Sequence, residues 1–494
     1  MEEIRLLDVG PSPTPSSRDE GGEVEPLDDK QSSSVLTDVA VAPAPAVEDS
    51  TLPDVVKKLA PTSNVTEHCN IDSVTPCAET HLSIGCQVVA PFFIAGMGMV
   101  GAGFYLDHVQ DWEVFIKVPE IIILVPSLLG LKGNLEMTLA SRLSTEANLG
   151  HMDDSKEQWS MIIGNLTLVQ CQAIVVGLLS AVVAVVMVAI TQQEFSLSHT
   201  LLLCSSSIIT SSIASLLLGC ITAAVIVVSR CFKINPDNVA TPIAASLGDI
   251  TSLALLSWVA SMLYNANEKF SWIAPIIIGC YILAIPFWVF IAKKNKYTHS
   301  VLYTGWTPVI LAMLISTLAG LILDILMAKF KDLAVYQPVI NGVGGNLVSV
   351  QASRLSTELH KNNELGTLPP AARICISPLD AFFSKQQYAV TAQVLMLIVV
   401  PGHVIFVYTI RFFKEGSASP STLFVSSYLT AALVQVAILL YLAYVITYYF
   451  WSQNVDPDNS TIPYLTALGD FLGVMLLGMT FEFIYLVGDK QLPT

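Results

Sequence analysis

The stretch IIGNLTLVQCQAIVVGLLSAVVAVVMVAI, from Ile162 to Ile190, runs for 29 residues without one Lys, Arg, Asp or Glu. A helix crosses the hydrocarbon core of a bilayer with roughly 20 apolar residues. In lipid, only helices and closed barrels satisfy every backbone polar group internally. The segment therefore reads as a membrane-spanning helix. Its surroundings are of the same kind: 53% of the 494 residues are hydrophobic and 13% charged, about half the charged share of an ordinary soluble domain. The fold class that follows is an all-α polytopic membrane protein.

Apolar runs divided by polar, Pro or charged punctuation predict further spans on either side. They fall near 84–106, 118–140, 160–190, 198–229, 238–264 and 271–292, then near 306–328, 333–353, 388–412, 421–450 and 459–487, which makes 11. Basic residues gather in cytoplasmic loops. With the amino terminus inside, 11 inner Lys and Arg stand against 7 outer ones, which places the carboxyl terminus outside.

The net charge of −16 is unevenly placed, since residues 1–80 hold 16 acids and 5 bases. That segment is rich in Ser and Pro and has no sustained apolar period, so it reads as a disordered cytoplasmic tail. No apolar run near Met1 suggests a cleaved signal peptide, and the acidic start argues against a mitochondrial address. The plasma membrane is the expected location, and the sequon at Asn64-Val65-Thr66 would face the cytoplasm. Six of the nine cysteines (Cys86, Cys171, Cys204, Cys220, Cys231, Cys280) fall in or against the spans without metal or redox spacing, as buried small hydrophobes do.

Internal repetition organises the rest. Pro126-Ser-Leu-Leu-Gly-Leu-Lys-Gly-Asn134 leads into Ala140-Ser-Arg-Leu-Ser-Thr145. Pro338-Val-Ile-Asn-Gly-Val-Gly-Gly-Asn346 leads into Ala352-Ser-Arg-Leu-Ser-Thr357, 212 residues later. Pro236-Asp-Asn238, Pro242 and Leu247-Gly-Asp249 recur 221 residues on as Pro457-Asp-Asn459, Pro463 and Leu468-Gly-Asp470, and Leu106-Asp107 echoes in Leu323-Asp324 at 217. Five spans per copy and one connecting span leave both copies pointing the same way, related by an axis along the membrane normal. The expected boundaries are a tail at 1–82, a first repeat at 83–265, a linker helix and loop at 266–304, a second repeat at 305–488 and a short end at 489–494.

Chemistry falls on this frame. Asp249 and Asp470 each lie 11 residues past an Asn near the start of a span, about 17 Å in and close to the middle of the bilayer. A carboxylate there costs on the order of 3 kcal/mol or more unless it meets water or a cation, so an ion role is the default. Pro242 and Pro463 free carbonyls as further oxygen ligands. Gly133-Asn134 and Gly345-Asn346 are expected to unwind their spans and add amide oxygens, with Thr138 adding a hydroxyl. Glu136 is a further candidate ligand, although Val348 stands at its place in the second copy. Oxygen ligands without His or Cys point to a hard cation, and two carboxylates with retained water suit magnesium better than calcium.

Several signals carry less. Gly96-x-Gly98-x-x-Gly101 sits inside an apolar span, where close helix packing explains it better than a dinucleotide fingerprint. The small residues from Ser205 to Ser215 read as a packing face. His403 reads as an interfacial or capped histidine rather than a proton relay. No Walker loop or HExxH helix is present, so the chain is not expected to be an enzyme or to hydrolyse nucleotide.

Gly130-Leu-Lys-Gly-Asn-Leu-Glu-Met-Thr-Leu-Ala-Ser-Arg-Leu-Ser-Thr145 and Asn235-Pro-Asp-Asn-Val-Ala-Thr-Pro-Ile-Ala-Ala-Ser-Leu-Gly-Asp249, with their second copies, resemble animal solute carrier family 41, relatives of the bacterial magnesium channel MgtE. The likeness runs from about residue 82 to 487. It implies a fused form of a five-span dimer, working as a pseudo-dimeric monomer in the lipid bilayer and carrying Mg2+, with no nucleic acid as partner. By the same resemblance, Asp249 and Asp470 stand for the fifth-span aspartates, and Asn134, Thr138 and Asn346 for the second-span polar residues. Na+ is implied as a counter-ion. The competing expectation is an accessory membrane scaffold in which the aspartates only hold helices together.

Overall fold

The computed structural model describes residues 81–488 apart from 119, 193–195, 268–269, 371 and 417–419. The expected tail, apart from His81 and Leu82, and its sequon lie outside the described residues, as does the segment 489–494. Every regular element among the described residues is a helix. The first repeat comprises α1 (His81–Val109), the short α2 (Glu113–Lys117), α3 (Glu120–Asn148), α4 (Ser155–Gln192), α5 (Leu197–Cys231) and α6 (Pro236–Asn267). The linker contributes α7 (Ile273–Lys294) and the one-turn α8 (Val301–Thr304). The second repeat follows as α9 (Trp306–Met327), α10 (Leu333–Asn362), the short α11 (Pro378–Phe383), α12 (Gln387–Glu415), α13 (Thr422–Ser452) and α14 (Pro457–Val487).

Local sequence sets several of these ends. Ser196 accepts the His199 amide, Ser421 the Leu423 amide and Asp456 the Asp458 amide, each satisfying a donor that a helix start leaves free. Pro457 follows Asp456 at the first helical position, and Gly488 closes α14 at φ 76°, the left-handed conformation that favours glycine.

Ten helices among the described residues are long and apolar enough to cross a membrane. The eleventh long helix is α10, with 30 residues. Its composition is too polar for that test because it meets protein on almost every side: it packs against α14, α1, α13, α6, α12 and α3. Its counterpart α3 is likewise central, against α6, α9, α5, α4 and α14.

Packing pairs recur across the two repeats. Contacts of α3 with α6, α1 with α6 and α1 with α10 are matched by α10 with α14, α9 with α14 and α9 with α3. Two glycines show the same relation at atomic scale. A Cβ on Gly103 would lie 2.4 Å from the Val335 carbonyl, and one on Gly320 would lie 3.0 Å from the Ile123 carbonyl. Gly320 is the mate of Gly103, and Val335 that of Ile123. In contrast, α7 packs on α4 and α5 at the periphery, and only 6% of its most apolar stretch is buried. Ile276, Leu283, Phe287 and Phe290 face outward there, as lipid-facing residues do.

Four expectations need correction. First, α3 and α10 pass through Gly133-Asn134 and Gly345-Asn346 as unbroken helices. Neighbours on all sides favour an intact hydrogen-bond ladder, and the two glycines leave open space instead: a Cβ on Gly133 would meet nothing within 4 Å, and one on Gly345 only the Thr466 methyl at 3.8 Å. Second, α6 and α14 begin at Pro236 and Pro457, so the carbonyls freed by Pro242 and Pro463, at Asn238 and Asn459, lie in the first helical turn. They are 11 residues, about 16 Å, from the aspartates and cannot ligate beside them. Third, Cys171 and Cys204 are buried, whereas Cys86, Cys220, Cys231 and Cys280 are exposed on α1, α5 and α7. An apolar thiol facing lipid has no need of protein cover. Fourth, His403 is a core residue 1% exposed, its Nδ1 3.2 Å from the Tyr428 hydroxyl and its ring edge-on to Phe406 and Tyr428. The Gly96 contact is as tight as expected, since a Cβ there would overlap the Phe406 ring. The serine face of α5 packs on α4, Ser207 donating to the Gly177 carbonyl at 2.6 Å.

Candidate cation site

The pseudo-two-fold relation brings α3, α6, α10 and α14 together around one cavity of about 50 Å³, enough for a few waters. Asp249 from α6 and Asp470 from α14 both line it, with Asn134 from α3. The sequence placed these aspartates at equal depth in separate copies, and the fold puts both on the same cavity wall. Gly130, Gly133, Gly342 and Gly345 line it too; Gly133 and Gly345 leave it open space, while Gly130 and Gly342 make room for the side chains of Asp470 and Met99. A Cβ on Gly130 would lie 2.7 Å from Oδ2 of Asp470.

Each predicted residue has a definite place. Asn134 is fully buried, and its Oδ1 accepts from the Thr466 hydroxyl of α14. Thr138 donates 2.6 Å back to the Asn134 carbonyl within its own helix and is not among the residues lining the cavity. Glu136 also lies behind the wall: its Oε2 is 2.8 Å from where a Cβ on Gly248 would be, next to Asp249. Asn346 is buried with Nδ2 4.0 Å from the Met99 sulfur. Three of the six predicted residues thus line the cavity, and Glu136, Thr138 and Asn346 stand in the layer around it.

Other contributors had not been singled out. Ser316 of α9 donates to Oδ2 of Asp470 at 3.1 Å, and Gln337, Asn341 and Thr466 line the cavity. Gln435 of α13 donates to the Gly469 carbonyl at 2.9 Å, fixing the turn before Asp470. Thr466 was visible in principle, four residues before Asp470 and hence on the same helix face.

The electrostatics favour a cation. Both Asp470 and Glu136 bear on Asp249 through their charges, and no Lys or Arg is among the described side chains that line the cavity. The polar groups around it are carboxylates, amides and hydroxyls, the donor set of a hard, oxygen-seeking ion that keeps part of its water.

Toward the end where α3 and α10 finish, His360, Asp456 and Asp458 bring ligand atoms within 4.8 Å of one another. His360 Nε2 is 3.7 Å from Asp456, and the guanidinium of Arg142 attracts both aspartates. That cluster carries its own counter-charges.

A helical bundle of two parallel repeats enclosing paired carboxylates in mid-span defines a polytopic cation carrier. The MgtE divalent cation transporter model matches residues 125–259 and 337–480, one segment in each repeat. Human solute carrier family 41 member 2 is 52% identical over 408 residues, 82% of this chain and 71% of its own length. Mouse solute carrier family 41 member 3 is 47% identical over 418 residues, 84% of this chain and 86% of its own. The chain belongs to solute carrier family 41, within the MgtE divalent cation transporters. Among solved structures, a eukaryotic MATE transporter, AtDTX14, aligns with 81% of this chain and 95% of its own at TM-score 0.30 and 12% identity, too slight a likeness to carry weight.

Proposed function

We propose that this divalent cation transporter carries magnesium, held as a partly hydrated ion between Asp249 and Asp470 and moved out by rearrangement of the two repeats around it. One observation carries the reading: the mid-span aspartate of each repeat lines the same small cavity, among oxygen donors. Magnesium is commonly held through one or two carboxylates with several waters kept, and a cavity with room for a few waters suits that state. Asn134 supplies a neutral oxygen, while Glu136 adds negative charge from behind Gly248. Sodium is the proposed counter-ion and the plasma membrane the proposed site, with the amino terminus in the cytoplasm.

The test is magnesium uptake into proteoliposomes of purified protein. Asp249→Asn and Asp470→Asn are each expected to cut the flux at least ten-fold while leaving yield and folding intact. Undiminished flux in both variants would sink the reading. An outward sodium gradient is expected to accelerate the wild type, and indifference to sodium would remove the counter-ion from the scheme.

A further inference from the structure

The repeated Ala-Ser-Arg-Leu-Ser-Thr and Pro-Asp-Asn motifs take no part in the cavity, yet they meet one another directly below it. Met137 and Ser349, one residue 212 positions after the other, touch at 2.9 Å between Sδ and Oγ. Ser141 and Ser353, also 212 apart, lie 3.2 Å apart hydroxyl to hydroxyl. Thr145 and Thr357, again 212 apart, lie 3.1 Å apart. A residue that touches its own mate must sit on the pseudo-two-fold axis. The axis is the centre of any path between the halves, so α3 and α10 close that centre along a seam of four-residue steps, from Met137 in the cavity wall to Thr145. Rising 1.5 Å per residue, the seam is about 12 Å long.

The Pro-Asp-Asn aspartates latch this seam from both sides. Asp237 Oδ1 accepts from Ser144 of its own repeat and from Ser353 of the other, both at 2.7 Å, and its Oδ2 accepts from Thr357 at 3.0 Å. Asp458 accepts from Ser141 of the opposite repeat at 2.8 Å. The arginines repeat the crossing: Arg142 donates to Asn459 at 3.1 Å and Arg354 to Asn238 at 2.9 Å.

We infer that the α3–α10 seam is the gate at this end of the ion path, and that Asp237 and Asp458 latch it shut through the serine and threonine hydroxyls. The inference rests on the proposed magnesium site above. The chemistry of the seam suits a gate. Hydroxyl pairs exchange partners for water at little cost when the helices part, where an aliphatic seam would expose apolar surface. Once parted, the seam leaves two carboxylates facing an ion that has left Asp249 and Asp470.

The test is a reversible lock. Ser141→Cys combined with Ser353→Cys places two thiols where the hydroxyls now meet, near enough for a disulfide. Oxidation, followed by mass spectrometry of the linked peptides, is expected to lower magnesium flux at least ten-fold, and reductant to restore it. The oxidised wild type controls for its native cysteines. Thr145→Cys with Thr357→Cys is expected to behave likewise, should the first pair disturb folding. Undiminished flux through cross-linked protein, or flux that reductant fails to restore in both pairs, overturns the gate. Failure of the magnesium reading shows separately, as a reduced protein whose flux ignores Asp470→Asn.

Discussion

The hydroxyl of Thr466 on α14 donates to Oδ1 of Asn134 on α3, a bond that crosses from the second repeat to the first at the cavity wall. It holds the amide of Asn134 in one orientation beside the two aspartates. Thr466→Val keeps the shape and removes the donor. A hydrogen bond of this kind contributes about 0.5–1.5 kcal/mol, so the apparent affinity for magnesium is expected to fall roughly 3- to 10-fold, and Thr466→Ser to restore it. The concentration dependence of uptake measures this; equal half-saturation in all three proteins would show that the bond has no bearing on the ion.

Gly130 offers a steric test of Asp470. The added methyl of Gly130→Ala would lie 2.7 Å from both Asp470 Oδ2 and Ser316 Oγ. The neighbours are side-chain atoms, and the carboxyl is free to rotate away. Maximal flux is expected to drop several-fold with little change in melting temperature, and unchanged transport would mean that the orientation of Asp470 is immaterial.

Stability should follow the crowding of three other glycines. Gly103→Ala drives a methyl to 2.4 Å from a backbone carbonyl that cannot swing aside, and Gly320→Ala reaches 3.0 Å from its counterpart. Overpacking of this sort costs typically 1–3 kcal/mol. Gly279→Ala meets nothing within 4 Å and, within a helix, is expected to gain up to about 1 kcal/mol. Thermal unfolding in detergent should therefore rank Gly103→Ala lowest, Gly320→Ala next and Gly279→Ala at or above the wild type; any other order contradicts the packing.

Asp456, just outside the span of α14, has its carboxyl pushed up to about 6 by loss of solvent and by Asp458 beside it, against the pull of His360 and Arg142. The ordinary value is about 3.9, so the folded state holds this proton more tightly than the unfolded one. The resulting stabilisation is full below about 4 and is lost as pH rises through about 6. Asp456→Asn removes the charge and keeps an oxygen for the Asp458 amide. It should raise the melting temperature at pH 8 relative to the wild type and lose that advantage at pH 4.5. An equal shift at both values would assign the effect elsewhere.

The spans were legible because apolar runs such as Ile162 to Ile190 leave a helix no other environment. The parallel arrangement was legible because the motifs repeat, and repetition also pointed to Asp249 and Asp470. The same method hid their neighbours. Thr466, Ser316 and Asn341 have Ala245, Met99 and Leu129 as mates, so a search for residues present twice passes over those present once. The polar helix α10 could be placed from its likeness to α3, but its near-complete burial could not, because burial depends on partner helices drawn from both repeats. The self-touching seam residues were visible only as a motif; that Ser141 would meet Ser353 required the axis itself.

The peripheral α7 joins the halves while packing chiefly on elements of the first. The contacts that hold the halves in register, Ser141 with Ser353 and Gly103 with Val335, are made without it. The covalent link therefore acts on stoichiometry more than on shape. Separate halves able to pair through these surfaces would also form like-with-like assemblies, and only an unlike pair places Thr466 opposite Asn134. A single chain guarantees one of each, so every molecule has the same lopsided cavity.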